Sequence, residues 1–232
     1  MRTGIEGVAF DLDGTLYPNY SLHIRLIPYL LKEMRLVAAF GKARTIIRRK
    51  QEISPIPQND FYVNQVAETA KLLFNKKSAA NTEALKEKIN REIYRGWEQP
   101  FKKIKPFNGV KETLAALRKA GYKLGLLSDF PPEAKLEYLG LGGLWDAVLC
   151  SEQCGALKPY PSSFNELAAT MSLPCEKILY VGNSHPYDVT GAFRAGMKTA
   201  WIKPRLIPAG KKAPAADFIF DNYRQLHDYM IN

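Results

Sequence analysis

The fold is decided by a stretch near the start of the chain, Ile5-Glu6-Gly7-Val8-Ala9-Phe10-Asp11-Leu12-Asp13-Gly14-Thr15-Leu16. Its short apolar run, which ends in charged residues and a glycine, is typical of a buried strand that leads into a turn. Carboxylates two residues apart would share one face of a strand, but the turn can separate them. We therefore expect one carboxylate to point at a metal ion and the other to reach over a substrate.

Outward from this stretch, five later segments have the same short apolar character: 122–127, 147–150, 177–181, 199–202 and 218–220. Helical patterns separate them at 110–120, 161–171 and 188–195. Alternating strands and helices predict an α/β fold, a Rossmann-like doubly wound parallel sheet. In such a sheet the functional site lies at the carboxyl ends of the strands.

Residues 17–105 show no strand pattern and read as a series of helices inserted directly after the first strand. Pro28 predicts a kink in the first of these helices or a late start to it. The sequence Pro106-Phe107-Asn108-Gly109 then returns the chain to the sheet. We predict two domains, an α/β core at 1–16 and 106–232 and an all-helical cap at 17–105.

The composition is that of a globular protein, with 232 residues of which 46% are hydrophobic and 24% are charged. No run approaches the roughly 18 apolar residues that span a bilayer, so an integral membrane protein is not expected. Three cysteines are too few for a disulfide framework. We therefore expect reduced thiols and a cytoplasmic location, and the sequence predicts no particular oligomeric state.

Four further side chains with chemical potential follow predicted strands or lie in the loops beyond them: Ser128, Lys158, Asn183 and Asp188. Phosphoryl transfer needs groups of these types. A carboxylate nucleophile repels a phosphate dianion unless a cation such as Mg²⁺ neutralises the pair. A hydroxyl and an ammonium can bind the remaining phosphate oxygens. A second carboxylic acid can protonate the leaving alkoxide and later activate water.

In this order the residues resemble those of the haloacid dehalogenase (HAD) superfamily, in a hydrolase with a helical C1-type cap. The resemblance covers nearly the whole chain, and Phe10-Asp11-Leu12-Asp13-Gly14-Thr15-Leu16 is its most specific part. It implies a phosphatase that acts on a small soluble phosphomonoester through an aspartyl-phosphate on Asp11, with Asp13 as general acid and base. It also implies that Ser128 and Lys158 hold the phosphoryl oxygens. The Mg²⁺ ligands that it implies are Asp11, the backbone carbonyl of Asp13, Asn183 and Asp188.

The chain departs from the family pattern at two positions. Asn183 follows Gly182 where the family usually has Asp, and the change removes one negative charge from the expected metal site while keeping an oxygen ligand. Asp129 follows Ser128 where the family often has Asn, which adds an acid of unassigned role near the phosphate pocket.

Four other functions compete with a phosphatase. One is a phosphonatase, which would need a Schiff-base lysine from its cap, and the cap has too many lysines for the sequence to select one. Dehalogenases of this superfamily do not keep the second Asp, so the presence of Asp13 disfavours carbon–halogen cleavage. A phosphomutase is an alternative, since sugar phosphomutases of this type carry a cap histidine where this chain has His23. Their Thr-Asp pair after the first motif is absent here, and a histidine on such a helix more often packs or is solvated. A non-catalytic anion-binding or nucleic-acid-binding protein is the fourth, supported by the basic residues Arg44, Arg48, Arg49, Lys50, Lys76, Lys77, Lys102 and Lys103.

Other candidate residues have less specific patterns. His185 falls in the predicted metal-binding loop and could approach a phosphate. Cys150 and Cys154 lack a second Cys/His pair to complete a zinc site. A set of aromatic residues could line a pocket where cap and core meet: Tyr17, Tyr20, Tyr62, Trp97 and Phe101.

The net charge of +10 is concentrated in one part of the chain. Residues 17–105 contain 18 Lys and Arg against 8 Asp and Glu, whereas the remainder has 15 of each. A positive lid over a phosphate site can raise the local concentration of an anionic substrate in a salt-dependent way. We expect a small anionic phosphorylated substrate and expect neither nucleic acid nor a membrane as a partner.

Overall fold

A six-stranded sheet in which every neighbouring pair runs parallel forms the centre of the molecule. The computed structural model describes residues 4–51, 60–74, 82–203 and 216–232. The strand order is β3-β2-β1-β4-β5-β6. The strands are β1 (Gly7–Phe10), β2 (Lys123–Ser128), β3 (Ala147–Cys150), β4 (Ile178–Gly182), β5 (Lys198–Ile202) and β6 (Phe218–Phe220). All six match the apolar segments of the sequence, and the predicted α/β fold is confirmed.

The strand order reverses between β1 and β4, since β2 and β3 extend the sheet on one side and β5 and β6 on the other. In doubly wound sheets the crevice at such a reversal, beyond the carboxyl ends of the strands, is where ligands bind. Asp11 follows β1 and Asn183 follows β4, so the two neighbouring central strands lead directly into the expected site.

Ten α-helices are described, five of them between β1 and β2 before the sheet resumes. These five are α1 (Asn19–Lys32), α2 (Met34–Gln51), α3 (Phe61–Phe74), α4 (Thr82–Ile89) and α5 (Glu98–Phe101), with a π-helical turn at Asn90–Arg95. The sheet-flanking helices are α6 (Val110–Lys119), α7 (Glu133–Leu139), α8 (Pro161–Thr170), α9 (Thr190–Arg194) and α10 (Tyr223–Ile231), with a second π-helical turn at His185–Val189.

The two faces of the sheet bury different apolar clusters because successive strand residues point to opposite sides. Val8 and Phe10 of β1 pack into the larger cluster, with residues of α6 and α10. Ala9 of β1 packs into the smaller one, together with Phe164 and Leu167 of α8. Both faces are therefore covered, which explains why the strands are continuous apolar runs.

The described part of residues 17–105 contains helices and turns but no strand of the sheet. The first helix, α1, inserts Leu22 and Leu26 into the larger cluster beneath the sheet. A separate cluster joins α2, α3, α4 and the following π-helical turn through Leu36, Phe40, Val66, Leu85, Ile89 and Ile93. The inserted segment thus has an apolar core of its own, whereas its first helix, α1, packs into the larger apolar cluster of the sheet.

Pro28 lies inside α1. The helical conformation is interrupted only at Glu33, between α1 and α2. Lys76 and Lys77, cited above for nucleic-acid binding, lie outside the described residues. Within the described residues, no helix has the length and apolar character needed to cross a membrane.

Candidate active site

The residues singled out by the sequence converge at the carboxyl edge of the sheet. Asp11 follows β1, Ser128 ends β2, and Asp188 lies in the π-helical turn after β4. Lys158 comes from the long loop that follows β3. Their burial is high, with exposed fractions of 5% for Asp11 and 3% for Lys158. Polar groups this deeply buried need partners, and each of them has one.

Lys158 links the two buried carboxylates. Its Nζ lies 2.6 Å from Asp11 Oδ1 and 2.7 Å from Asp188 Oδ1. The Ser184 backbone N–H donates to the other oxygen of Asp188 at 2.9 Å. Burial disfavours the ammonium form of Lys158, but the two carboxylates outweigh burial and hold its pKa well above the usual value. The lysine is therefore a fixed cation at the site.

Thr15 adds a second link between the strand ends. Its Oγ1 donates to Asp11 Oδ2 at 2.8 Å and lies 3.4 Å from Asn183 Oδ1. Gly14, between the two aspartates and Thr15, has a φ of 90°. A Cβ at this glycine would lie 2.2 Å from Asn183 Nδ2. The turn can therefore bring Asn183 against the first loop only because residue 14 is glycine.

Asp13 has different surroundings from Asp11. Its Oδ1 accepts hydrogen bonds from the Tyr17 hydroxyl and from Lys135 Nζ, the latter at 2.6 Å. The Asn19 side chain donates to the backbone carbonyl of Asp13 at 3.1 Å. The turn after β1 therefore separates the two carboxylates as expected. Neither Tyr17 nor Lys135 carried a sequence signal for this role.

The two aspartates also differ in acidity. Burial and the nearby Asp188 carboxylate raise the pKa of Asp11 to about 7, against the opposing effect of Lys158. Burial acts to raise the pKa of Asp13 as well, but the Lys135 ammonium and its hydrogen bond outweigh burial and lower that pKa. The Asp188 carboxylate thus disfavours ionisation of Asp11, and a cation bound between the two carboxylates would favour it.

The oxygen atoms at the site suit a hard divalent cation. Asp11 and Asp188 share one ammonium, and Asp11 and Asn183 share one hydroxyl. Carboxylate, amide and carbonyl oxygens are the ligands that Mg²⁺ prefers. No group of three or more Asp, Glu, His or Cys side chains with metal-binding geometry occurs in the described ranges. A cation here would therefore depend on the Asn183 amide and a backbone carbonyl as well as on carboxylates.

Ser128 lies at the same edge of the sheet and is fully buried. Its Oγ accepts a hydrogen bond from the Phe130 backbone N–H at 3.2 Å. The hydroxyl hydrogen is free in this arrangement to donate to a bound anion, which is the property required of a group that holds a phosphoryl oxygen.

Asp129, whose role the sequence left open, joins the inserted helices to the site loops. One oxygen accepts from the Ser151 hydroxyl at 2.5 Å and from the Lys158 backbone N–H at 3.2 Å. The other accepts from Arg48 at 2.6 Å. Burial opposes ionisation, but Lys158, Arg48 and Arg44 outweigh it and lower the pKa of Asp129 to about 2.

Helix α2 supplies the rest of this connection. The Arg44 guanidinium is buried and contacts Glu152, Gln65 and the Asp129 carbonyl. Arg48 Nε donates to the Lys158 carbonyl at 2.9 Å. Two of the basic residues that favoured nucleic-acid binding are thus occupied by contacts with the core.

The remaining candidates fall in several places. His23 and Tyr20 are exposed on α1, and His185 packs edge-on against Trp201 with ring centroids 5.6 Å apart. Tyr62 donates to Asn90 at 2.7 Å within the inserted helices. Cys150 is a buried free thiol, and burial raises its pKa to about 12. Trp97 and Phe101, by contrast, line a cavity of about 210 Å³ beside Lys135.

Comparison with known proteins identifies the family. The family model for haloacid dehalogenase-like hydrolases matches residues 5–196. The chain belongs to this family. The HAD resemblance seen in the sequence is therefore confirmed, and the protein is an enzyme of the HAD hydrolase class.

Three similar proteins span nearly the whole HAD chain. A glyceraldehyde 3-phosphate phosphatase of Methanopyrus kandleri is 28% identical over 230 residues, covering 97% of this chain and 96% of the relative. A phosphoglycolate phosphatase of Haemophilus influenzae is 25% identical over 241 residues, covering 97% of this chain and 98% of the relative. A solved dehalogenase in an intermediate complex shares the fold, with a TM-score of 0.68, 18% identity and 100% coverage of both chains.

Proposed function

We propose that the protein is a Mg²⁺-dependent phosphatase that hydrolyses a small phosphomonoester. The observation that carries the proposal is the division of labour between the two aspartates. Asp11 lies with the fixed cation Lys158, where a phosphoryl group can bind, whereas Asp13 lies with Tyr17 and Lys135 on the side where a leaving group would depart. The names of the two full-length phosphatase relatives support the same reaction.

The proposed reaction uses these residues in two displacements. A carboxylate oxygen of Asp11 attacks phosphorus, the ester P–O bond breaks, and Asp13 gives a proton to the departing alkoxide. Asp13 then takes a proton from water as the water oxygen attacks phosphorus, which releases phosphate and restores the Asp11 carboxylate. Lys158 and Ser128 bind the phosphoryl oxygens throughout. Because Lys135 pairs with Asp13 in the structure, that ion pair must open before Asp13 can act as an acid.

A bound Mg²⁺ would be held by Asp11, the Asp13 carbonyl, Asn183 and Asp188. It would supply positive charge that offsets the repulsion between the Asp11 carboxylate and the phosphate. Lys158 already contributes one positive charge to the same two carboxylates, which reduces the repulsion that a site with Asn183 in place of Asp must overcome.

We also propose that residues 1–16 and 106–232 form the catalytic core and that residues 17–105 form a cap domain over it. The separate apolar cluster of α2, α3 and α4 supports this division. We propose a cytoplasmic location, with the free thiols of Cys150, Cys154 and Cys175 in support.

The alternatives have less support. A dehalogenase has no alkoxide to protonate, and so no use for Asp13 in the position described. A mutase would need a histidine near the phosphate, and His23 is exposed on α1. Nucleic-acid binding has less support because Arg44 and Arg48 pair with Glu152 and Asp129 of the core.

The experiment is phosphate release from a panel of phosphomonoesters with and without Mg²⁺. The protein should turn over at least one ester in a Mg²⁺-dependent way, and Asp11→Asn should abolish this activity. Absence of turnover across the panel, or an Asp11→Asn variant as active as the wild type, would overturn the proposal.

A further inference from the structure

A cavity of about 210 Å³ lies where the inserted helices meet the core, on the Asp13 side of the site. One wall comes from the end of the inserted segment, with Tyr94, Trp97 and Phe101. The other comes from the loop after β2 and from α7, with Phe130 and Tyr138. We call this space the aromatic cavity. Its volume exceeds the roughly 150 Å³ that suffices for benzene, so it can hold one substituted ring.

The aromatic cavity is connected to the chemistry through Lys135. This side chain lines the cavity, and its Nζ contacts Asp13 Oδ1 at 2.6 Å. The same Nζ lies 5.6 Å from the Phe101 ring centroid and 5.8 Å from that of Phe130. A group that leaves from phosphorus and receives a proton from Asp13 therefore has this cavity as its immediate neighbour.

The charges on the cavity wall restrict what can occupy it. Lys135 is accompanied by Glu98 and Glu133, which also line the cavity. The cavity wall therefore carries two acids and one base, and the base is already paired with Asp13. Such a wall does not favour an anionic group in addition to the phosphate of the substrate. Aromatic walls instead favour a planar apolar body, since rings gain from stacking and edge contacts beyond the area they bury.

One polar atom in this wall has no partner. Trp97 Nε1 is buried and, alone among the buried side-chain nitrogen and oxygen atoms of the described residues, makes no hydrogen bond. A buried indole N–H normally finds an acceptor. The indole ring lines the cavity while its N–H is shut off from it, so an acceptor carried by a ligand would satisfy this donor once the side chain turns the N–H toward the ligand.

We propose that the aromatic cavity receives the leaving group of the substrate, and that this group carries an uncharged planar ring with a hydrogen-bond acceptor. The inference rests on the proposed phosphatase function and specifies its substrate class. The two-carbon and three-carbon groups named for the relatives would leave most of the aromatic wall uncovered. The substrate of this chain is accordingly a ring-bearing phosphomonoester, in which a short linker joins the ring to the phosphate.

The test compares three esters whose leaving groups are all primary alcohols: n-propyl phosphate, benzyl phosphate and 3-pyridylmethyl phosphate. The wild type should show a kcat/KM for benzyl phosphate about tenfold or more above that for n-propyl phosphate, because a ring is buried. The pyridyl ester should exceed the benzyl ester by about fivefold, because its ring nitrogen can accept from Trp97.

Two variants distinguish the effect of burying the ligand's ring from the effect of its hydrogen bond to Trp97. Trp97→Phe should bring the pyridyl-to-benzyl ratio close to one and leave the benzyl-to-propyl preference largely intact. Trp145→Phe is the matched control, because Trp145 lies outside the cavity and donates to the Leu141 carbonyl. The control should keep both wild-type ratios, and loss of the pyridyl preference in both variants alike would overturn the assignment to Trp97.

Binding to Asp11→Asn, measured by calorimetry in Mg²⁺ buffer, keeps this inference separate from the proposed function. Turnover of all three esters with equal efficiency would overturn the aromatic cavity as the leaving-group site and leave the phosphatase standing. Tighter binding of the ring esters without any turnover by the wild type would overturn the phosphatase and retain the cavity's ligand class. Equal binding of all three esters would overturn the inference.

Discussion

Asp11 and Asp13 are two residues apart, yet their carboxylates contact different lysines. The sequence predicted the separation, because a strand end followed by Gly14 must turn. It did not predict the partners of Asp13, since Lys135 is 122 residues away and lies on a helix with no motif. Contacts between distant side chains depend on how elements pack, which a local pattern does not contain.

The role of Asp13 predicts a dependence on the leaving group. Asp13→Asn should lower kcat for an alkyl phosphate by about 100- to 10,000-fold, because the alkoxide then departs without a general acid. The loss should be much smaller for p-nitrophenyl phosphate, whose nitrophenolate departs without a proton. Steady-state kinetics on the two esters measures the difference, and an equal loss on both would contradict an acid role for Asp13.

Asn183 gives a second prediction at this scale. Asn183→Asp restores a negative charge beside Thr15 and Asp11, so the Mg²⁺ concentration for half-maximal activity should stay the same or fall. A Mg²⁺ titration of activity measures this value. A clear loss of activity would instead show that the amide has a specific role, such as its close approach to Gly14.

Among the elements, the strands could be predicted most closely. The central strands β1 and β4 are short apolar runs buried from both faces, and the partly exposed strands β3 and β6 still coincide with their predicted ranges. The inserted helices were harder. The helical conformation is interrupted at Glu33, between α1 and α2. The π-helical turns at Asn90–Arg95 and His185–Val189 have no simple sequence signature. The sequence also could not show that α2 docks on the core through Arg44 and Arg48.

The docking of α2 predicts a pH-dependent contribution from Asp129. Its folded pKa of about 2 lies below the ordinary value of 3.8, so its ion pairs stabilise the fold fully above the ordinary pKa. That stability is lost as the pH falls through the folded pKa. Asp129→Asn should keep the acceptor for Ser151 but lose the charge facing Arg48, and so cost about 2 kcal/mol at pH 7.

Urea unfolding of wild type and Asp129→Asn at pH 7, 4 and 3 measures this contribution. The difference in unfolding free energy should be largest at pH 7 and should shrink toward pH 3. A difference that stays constant with pH would mean that Asp129 acts only through neutral hydrogen bonds.

Across the whole molecule, the positive charge of residues 17–105 is partly neutralised where the structure describes it. Lys50 and Lys71 both pair with Glu68, and Lys88 pairs with Glu33. Arg44 and Arg48 direct their charge toward the core. The acids within residues 17–105 are already subtracted in the net charge of this segment, so only the pairing of Arg44 and Arg48 with Glu152 and Asp129 lowers the charge that the segment presents.

The positive charge of residues 17–105 predicts electrostatic steering of an anionic substrate toward the site. Raising the ionic strength from ~20 mM to ~200 mM should lower kcat/KM for an anionic ester, since screening shortens the range of the field. The value of kcat should change little, because Asp11, Lys158 and Asp188 are buried and so are weakly screened by salt. A kcat/KM that does not respond to salt would show that the positive charge serves another purpose.

The central claim is that Asp11 attacks phosphorus and carries the phosphoryl group. The most direct measurement is mass spectrometry of the peptide containing Asp11 after turnover is quenched with acid within milliseconds to seconds. The wild type should show a peptide heavier by one phosphoryl group, with the added mass on Asp11, and Asp11→Asn should show none. Steady release of phosphate by the wild type with no such adduct at any time, or continued phosphate release by Asp11→Asn, would contradict the account.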